Sequence, residues 1–246
     1  MSDERRPVSV SGAGTIAGGS YTRVSISGAG KVNGDIYAEE MSMSGAGSVN
    51  GRCEVVRLTV SGTGKFSQQV IADEMKVSGV AKVDGRVAAK ELKCSGTFRA
   101  GDSISSEYIK VSGMLNVDGD VEAEIFRASG GFTIRGLLSA DRIEIHPGGR
   151  CRAEEIGGEH IEVRRYGSKD HVTLLDSLLR TLGNAWRGEV EAKLIEGDEI
   201  YLENTHADIV RGKAIQIGPD CKIGRVEYSE SLTVHDSSEV GEQAKT

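Results

Sequence analysis

Hydrophobic and polar residues alternate in a short motif that recurs along the chain and ends in Ser-Gly. The spacing of its serine is 16 between the first two copies and 17 between all later ones. An apolar-polar-apolar triplet is typical of a strand with one buried face, and this period is too short for a repeated helix pair. The serines are Ser11, Ser27, Ser44, Ser61, Ser78, Ser95, Ser112 and Ser129. The pattern therefore predicts a parallel β-solenoid with one coil per copy.

The apolar pair that precedes Ser-Gly also recurs beyond the last Ser-Gly. It is found at Ile143/Ile145, Ile161/Val163, Ile200/Leu202, Ile215/Ile217 and Leu232/Val234, which brings the total to thirteen copies. Counting the first apolar residue of each pair as position 1, further apolar residues recur at positions 9, 13 and 15. Glycine separates these segments, often after Asn or Asp, which is turn chemistry. We expect about thirteen triangular coils with this period of 17, each with three short strands.

An insertion interrupts the repeat. Residues 153–161 match residues 192–200, an offset of 39, and one coil accounts for 17 of that offset. The surplus of 22 corresponds to positions 167–188, where apolar side chains recur at the spacing of an amphipathic helix. Its candidate contact residues are Leu175, Leu178, Leu179, Leu182 and Trp186. This helix is expected to pack on its own solenoid, with a partner, a second copy or a membrane surface as alternatives.

These patterns divide the chain into a tail (1–7), coils (8–166), the helical insertion (167–188), further coils (189–236) and a polar tail (237–246). The first seven residues lack the apolar core of a secretory signal, and no stretch is long and apolar enough to span a membrane. We expect a cytoplasmic protein, with membrane association as an alternative.

No catalytic, cofactor or metal site is predicted. The five histidines lie in different coils, and the four cysteines lack CxxC spacing and resemble small buried hydrophobic residues. The glycine-rich stretches lack the GxxxxGK[ST] phosphate loop, and a Ser-Gly that recurs eight times is a turn device and not a nucleophile. The net charge of -7 argues against a nucleic-acid partner.

Two surfaces are candidates for contacts. Cations occupy position 2 in four successive coils, at Lys76, Lys93, Lys110 and Arg127, whereas the corner that closes each coil is acidic. This row is expected to serve lateral pairing or a partner, or else to be an ordinary solvated surface. The two ends of the solenoid lack an evident cap, and uncovered strand edges are templates for another chain. The predicted end-to-end contact residues are Val8, Val10, Ile16, Leu232 and Val234. As an alternative, a tail or the inserted helix covers an end.

Several segments resemble the core repeat of the bactofilins, which are bacterial polymer-forming cytoskeletal proteins. They include Val32-Asn33-Gly34-Asp35-Ile36, Val83-Asp84-Gly85-Arg86-Val87 and Val117-Asp118-Gly119-Asp120-Val121, and the resemblance covers most of 8–163 and resumes from 189 to 234. It implies a right-handed β-helix that assembles end to end into filaments without nucleotide. It also implies a scaffold for other proteins, with roles in cell shape, the envelope or motility, and other bactofilin-like subunits as partners. This chain is longer than a minimal bactofilin domain and carries the insertion.

Two other classes of function remain open at this stage. A monomeric adaptor would hold one partner through the basic row or the inserted helix. A β-helix transferase is less favoured, because hexapeptide acyltransferases have a period of six and a period of 17 does not divide that way.

Overall fold

The computed structural model describes residues 5–165 and 188–246. These residues form two compact units, of which the first ends at Glu124 and the second begins at Ile125. Every regular element among them is a β-strand, and the strands pair in parallel. The predicted all-β parallel solenoid of about thirteen coils is confirmed. The predicted inserted helix, with Leu175, Leu178, Leu179, Leu182 and Trp186, lies outside the described residues, which resume at Gly188.

The first unit consists of short strands stacked one coil above the next. In its middle the coils pair at an offset of 17, as in Val70 with Val87 and Val77 with Cys94. The strands are β1 (Arg6–Val10), β2 (Ala13–Ile26), β3 (Ala29–Met43), β4 (Ala46–Asn50), β5 (Cys53–Val60), β6 (Thr63–Phe66), β7 (Val70–Val77), β8 (Val80–Val83), β9 (Val87–Cys94), β10 (Thr97–Ala100), β11 (Ile104–Val111) and β12 (Met114–Val117). The next strand, β13 (Val121–Ala128), contains the boundary between the units.

Each middle coil has two strands where the sequence predicts three. Strand β7 shows why, because Val70, Met75 and Val77 are buried whereas Asp73 and Glu74 are successive outward residues. Two outward residues in a row shift the alternation by one and bend the strand, while its pairing to both neighbouring coils continues. Two of the three predicted sides are thus parts of one bent strand.

The Ser-Gly corners are where successive coils approach most closely. The backbone N–H groups of Ser78 and Gly79 both donate to the carbonyl oxygen of Val60, at 2.9 and 3.1 Å. A Cβ atom added to Gly79 would lie 2.1 Å from the carbonyl oxygen of Gly62, the glycine one coil before. The same conflict, at 2.0 to 2.2 Å, is present at Gly28, Gly45, Gly62, Gly96 and Gly113. Glycine recurs at this corner because the stacking leaves no room for a side chain.

The second unit is built from longer strands. They are β14 (Gly131–Ile145), β15 (Cys151–Val163), β16 (Val190–Leu202), β17 (Thr205–Ile217), β18 (Lys222–Val234) and β19 (Glu239–Lys245). Strands β15 and β16 pair at the predicted offset of 39, from Cys151 with Val190 to Val163 with Leu202. The two sides of the inserted segment therefore belong to adjacent coils, as the sequence alignment predicts.

Both terminal segments differ from the predicted tails. Strand β1 begins at Arg6, inside the predicted tail of residues 1–7. Strand β19 lies within the predicted polar tail of residues 237–246 and pairs with β18 from Lys222 to Tyr228. Its inward-facing residues are few, so the backbone pairing with β18 is what holds it in place.

Two neighbouring side chains hold both ends of the insertion. The carboxylate of Glu203, which is buried, accepts a hydrogen bond from the backbone N–H of Arg165 at 2.8 Å. The amide of Asn204 donates to the carbonyl oxygen of Gly188 at 2.6 Å. The described residues on the two sides of the insertion, Arg165 and Gly188, are therefore held at one corner by neighbouring residues between β16 and β17.

Deleting residues 166–187 is expected to leave the solenoid folded. The deletion restores the ordinary offset of 17 between β15 and β16, and it retains the contacts at Arg165 and Gly188. Far-ultraviolet circular dichroism should keep its β-sheet signal, and the urea midpoint should stay close to that of the full chain. Unfolding of the deletion variant would show that the insertion contributes to the core of the second unit.

Candidate assembly surfaces

At the N-terminal end of the first unit, strand β1 pairs on one side only among the described residues. Its residues Val8 and Val10 lie beside Val24 and Ile26 of β2. Val24 and Ile26 are fully buried, whereas Val8 and Val10 at the same coil positions are only half-buried. The difference reflects the side of β1 that no described strand covers, where the apolar side chains of Val8 and Val10 are partly exposed.

The second unit shows the same difference at its last coil. Leu232 and Val234 of β18 lie beside Ile215 and Ile217 of β17, which are buried, but are themselves only half-buried. Strand β19 pairs with β18 no further than Tyr228, so the segment around Leu232 is uncovered in the described chain. The predicted contact residues Val8, Val10, Leu232 and Val234 thus lie at open edges.

Ile16 differs from the other predicted contact residues. Its side chain is 4% exposed and it pairs through the backbone with Val32. It therefore belongs to the core of the first unit and offers little surface to another copy.

Three of the four cations predicted at position 2 lie side by side on successive coils of the first unit. Lys76 lies beside Lys93, and Lys93 lies beside Lys110, on successive coils. Lys93 forms an ion pair with Glu91 at 2.6 Å, whereas Lys76 and Lys110 have no ion pair within the described ranges. Arg127 belongs to the second unit and pairs there with Glu144 at 2.8 Å.

The corner that the sequence marks as acidic contains a ladder of alternating charges. Arg23 pairs with Glu40 at 2.6 Å, Glu40 with Arg57 at 2.7 Å, and Arg57 with Glu74 at 3.1 Å. The hydrogen bond and charge of Arg23 lower the pKa of Glu40 below its usual value. Nearby, Lys90 pairs with Asp73 at 3.0 Å. Much of this corner is therefore neutralised within its own unit, which weakens it as a lateral partner for a basic row.

A polar corner beside the insertion is absent from the predicted sites. Tyr201 donates from its hydroxyl to Glu203 at 2.6 Å, and the guanidinium of Arg164 lies 4.0 Å above the Tyr201 ring. Burial is the main cause that raises the pKa of Tyr201 to about 12. One feature of the sequence could have indicated this polar corner: Arg164-Arg165 and Glu203-Asn204 stand at the place where earlier coils have Ser-Gly.

The four cysteines are buried, as the sequence predicts, and none forms a disulfide. Cys53 occupies the same coil position as Ile36 and Val70, its neighbours in β3 and β7. Burial raises the pKa of the Cys53 thiol to about 12, and that of Cys151 to about 12 as well. These thiols fill space in the core and are poorly suited to act as nucleophiles.

This burial predicts a loss of stability at high pH. A folded thiol with a pKa near 12 keeps its proton, whereas an unfolded one ionises near about pH 8.5. The free energy of unfolding should therefore fall as the pH rises above about 9, by up to about 1.4 kcal/mol per pH unit for each such thiol. Cys53→Val should remove the contribution of this thiol, so that the free energy of unfolding, measured with urea between about pH 8 and about pH 10.5, falls less steeply with pH. An unchanged slope would contradict the assignment.

The described ranges hold no group of three His, Cys, Asp or Glu side chains that could bind a metal ion. His160 lies 3.4 Å from Glu199, and His146 lies 3.3 Å from the carbonyl oxygen of Arg164. Within residues 5–165 and 188–246, no helix is long and apolar enough to span a membrane.

Comparison with known proteins gives two relatives, both uncharacterized proteins of Bacillus subtilis strain 168. YhbE is 40% identical over 111 residues, which are 45% of this chain and 43% of YhbE. YhbF is 38% identical over 92 residues, which are 37% of this chain and 34% of YhbF. The chain thus matches less than half the length of either relative. No protein family and no solved structure matches it.

Proposed function

We propose that this protein is a non-enzymatic scaffold whose solenoids stack end to end into filaments. One observation carries the proposal: Val8, Val10, Leu232 and Val234 are half-buried, although the equivalent residues one coil inward are buried. A further coil on each open edge would bury these side chains and pair the free backbone groups. Apolar burial of this kind contributes about 25 cal/mol for each Å² removed from water.

The resemblance to the bactofilin repeat agrees with this function. It adds a right-handed coil, assembly without nucleotide and a role in positioning other cell components of the cytoplasm, such as envelope or motility proteins. The first step, stacking of identical coils, requires no ligand, because the contacts are backbone pairing and apolar packing.

Sedimentation velocity over a range of micromolar concentrations tests the proposal, together with negative-stain electron microscopy. A stacking protein should shift to larger species as its concentration rises, without added nucleotide or metal, and should show filaments on the grid. A single species at every concentration would overturn end stacking and favour a monomeric adaptor.

A further inference from the structure

The outer surface of the first unit carries two rows of cations, one on each side of the Ser-Gly corner. At position 2 these are Lys76, Lys93 and Lys110, and at position 8 the row includes Lys65, Lys82 and Arg99, with Lys31 two coils earlier. Lys65 lies beside Lys82 and Lys82 beside Arg99 on successive coils. We call these seven side chains the basic surface. All of them belong to the first unit.

Three of these seven charges are neutralised inside the unit, and four are not. Lys82 pairs with Asp84 at 2.5 Å, Lys93 with Glu91 at 2.6 Å, and Arg99 with Asp118 at 3.1 Å. Across the described ranges, the other four have no ion pair: they are Lys31, Lys65, Lys76 and Lys110. Like charges on adjacent strands repel one another, so an anionic partner would reduce the repulsion between these cations.

Apolar side chains lie within the basic surface. Val80 is 50% exposed and Met114 is 38% exposed, and both point outward at position 6, between the Ser-Gly corner and the position 8 cations. Thr97 lies between them on the intervening coil and pairs with both. A partner that offers both negative charge and an apolar layer would match the cations and these two side chains together.

A second copy of the chain is a poor fit to this surface. A symmetric contact would bring two basic surfaces together, and the acidic corner of the first unit is already occupied by Arg23, Arg57 and Lys90. An extended acidic peptide fits poorly as well. Its carboxylates on one face would recur about every 6.6 Å, whereas the cations recur at the strand spacing of about 4.8 Å.

We propose that the basic surface docks the first unit onto a membrane surface that contains anionic lipids. The lysine and arginine side chains would contact lipid phosphates and carboxylates, while Val80 and Met114 enter the boundary between headgroups and acyl chains. Each cation near an anionic bilayer contributes about 1 kcal/mol, so a cluster of this size suffices for reversible binding. The site is independent of the end contacts, because it lies on the side of the coils.

Flotation of the full chain with vesicles tests this proposal, because vesicles rise in a density gradient whereas protein filaments do not. Vesicles of phosphatidylcholine with about 30% phosphatidylserine should carry the protein upward at about 0.1 M salt, and less at about 0.5 M salt. Vesicles of phosphatidylcholine alone should not. Equal flotation with both compositions, or none with the anionic vesicles, would overturn the proposal.

Paired variants separate this surface from general charge effects. Lys65→Glu with Lys110→Glu should weaken the partition coefficient by at least about thirtyfold, because two cations are lost and two anions are added. Arg86→Glu with Lys90→Glu makes the same change in net charge on other sides of the same unit and should have little effect. Circular dichroism should show both variants folded. Retained flotation of the Lys65/Lys110 variant would refute the assignment.

The apolar part of the surface distinguishes a bilayer from a soluble polyanion. Val80→Ser with Met114→Ser should reduce flotation several-fold while leaving the cations in place. Inorganic polyphosphate should compete only weakly with anionic vesicles. If this variant floats like the natural chain and polyphosphate competes fully, the surface binds a soluble polyanion and the membrane proposal fails.

Discussion

Val10→Asp is expected to convert long filaments into short particles without unfolding the protein. Val10 lies in β1, on the uncovered edge of the first unit, and is half-buried. In a single molecule an aspartate there can keep its water, so the coil beneath remains intact. In a stacked contact the carboxylate would be desolvated among apolar side chains without a partner, which costs several kcal/mol. Val234→Asp should have the same effect at the other end.

The neighbouring outward residues provide matched controls. Ser9 in β1 and Thr233 in β18 are exposed and lie next to Val10 and Val234 in sequence. Ser9→Asp and Thr233→Asp add the same charge to the same strands but on the side facing water, so filaments should persist. Negative-stain microscopy and sedimentation compare the four variants. Long filaments of Val10→Asp would refute stacking through β1.

Mixing the two blocked variants identifies which ends meet. If the N-terminal end of one copy stacks on the C-terminal end of another, Val10→Asp and Val234→Asp proteins should each stay single and form a pair only when mixed. If each end binds its own kind, each variant alone should form a dimer through its intact end. Sedimentation of the separate and mixed samples distinguishes these two outcomes.

The solenoid and its register could be predicted because both follow from short, local sequence patterns. Alternation around pairs such as Met75/Val77 marks the buried side of a strand, and the match of residues 153–161 with 192–200 gives the offset of 39 that the strands adopt. The alternation repeats from coil to coil, so an error in one copy is corrected by the others, whereas the match that gives the offset of 39 occurs once.

Other features depend on contacts that repeat fewer times. Strand β19 has a mostly polar sequence and is held by its backbone pairing with β18, so its composition resembles a tail. Ion pairs with Arg57 and Lys90 neutralise much of the acidic corner. These two cations occupy the same coil positions as the acids, so a list of acidic residues alone overlooks them. Ile16 is predicted as an end-contact residue because it lies in the first coil, yet its side chain is buried. The alternation of apolar and polar residues does not specify how deeply each residue of a terminal coil is packed.

A substitution of glycine at the Ser-Gly corner is expected to cause a large loss of stability. Gly79→Ala is expected to lower the free energy of unfolding by about 3 kcal/mol or more, because its Cβ would lie 2.1 Å from the carbonyl oxygen of Gly62. That oxygen is backbone, so relief requires two coils to separate along hydrogen bonds such as the one from Gly79 to Val60. Urea unfolding followed by circular dichroism measures the loss. The Val10→Asp background keeps polymer formation from adding to stability.

Gly12 is the matched control for Gly79, since it follows Ser11 at the same corner in the first coil. A Cβ atom there meets nothing within 4 Å. Gly12→Ala should therefore change the free energy of unfolding by no more than about 0.5 kcal/mol, and a slight gain would reflect the lower entropy of the unfolded chain. If the Gly79 and Gly12 variants unfold at the same urea concentration, close stacking is not why glycine recurs. A large difference would mean that, in the coils that carry Ser-Gly, glycine recurs because the distance between stacked coils leaves no room for a side chain at this corner.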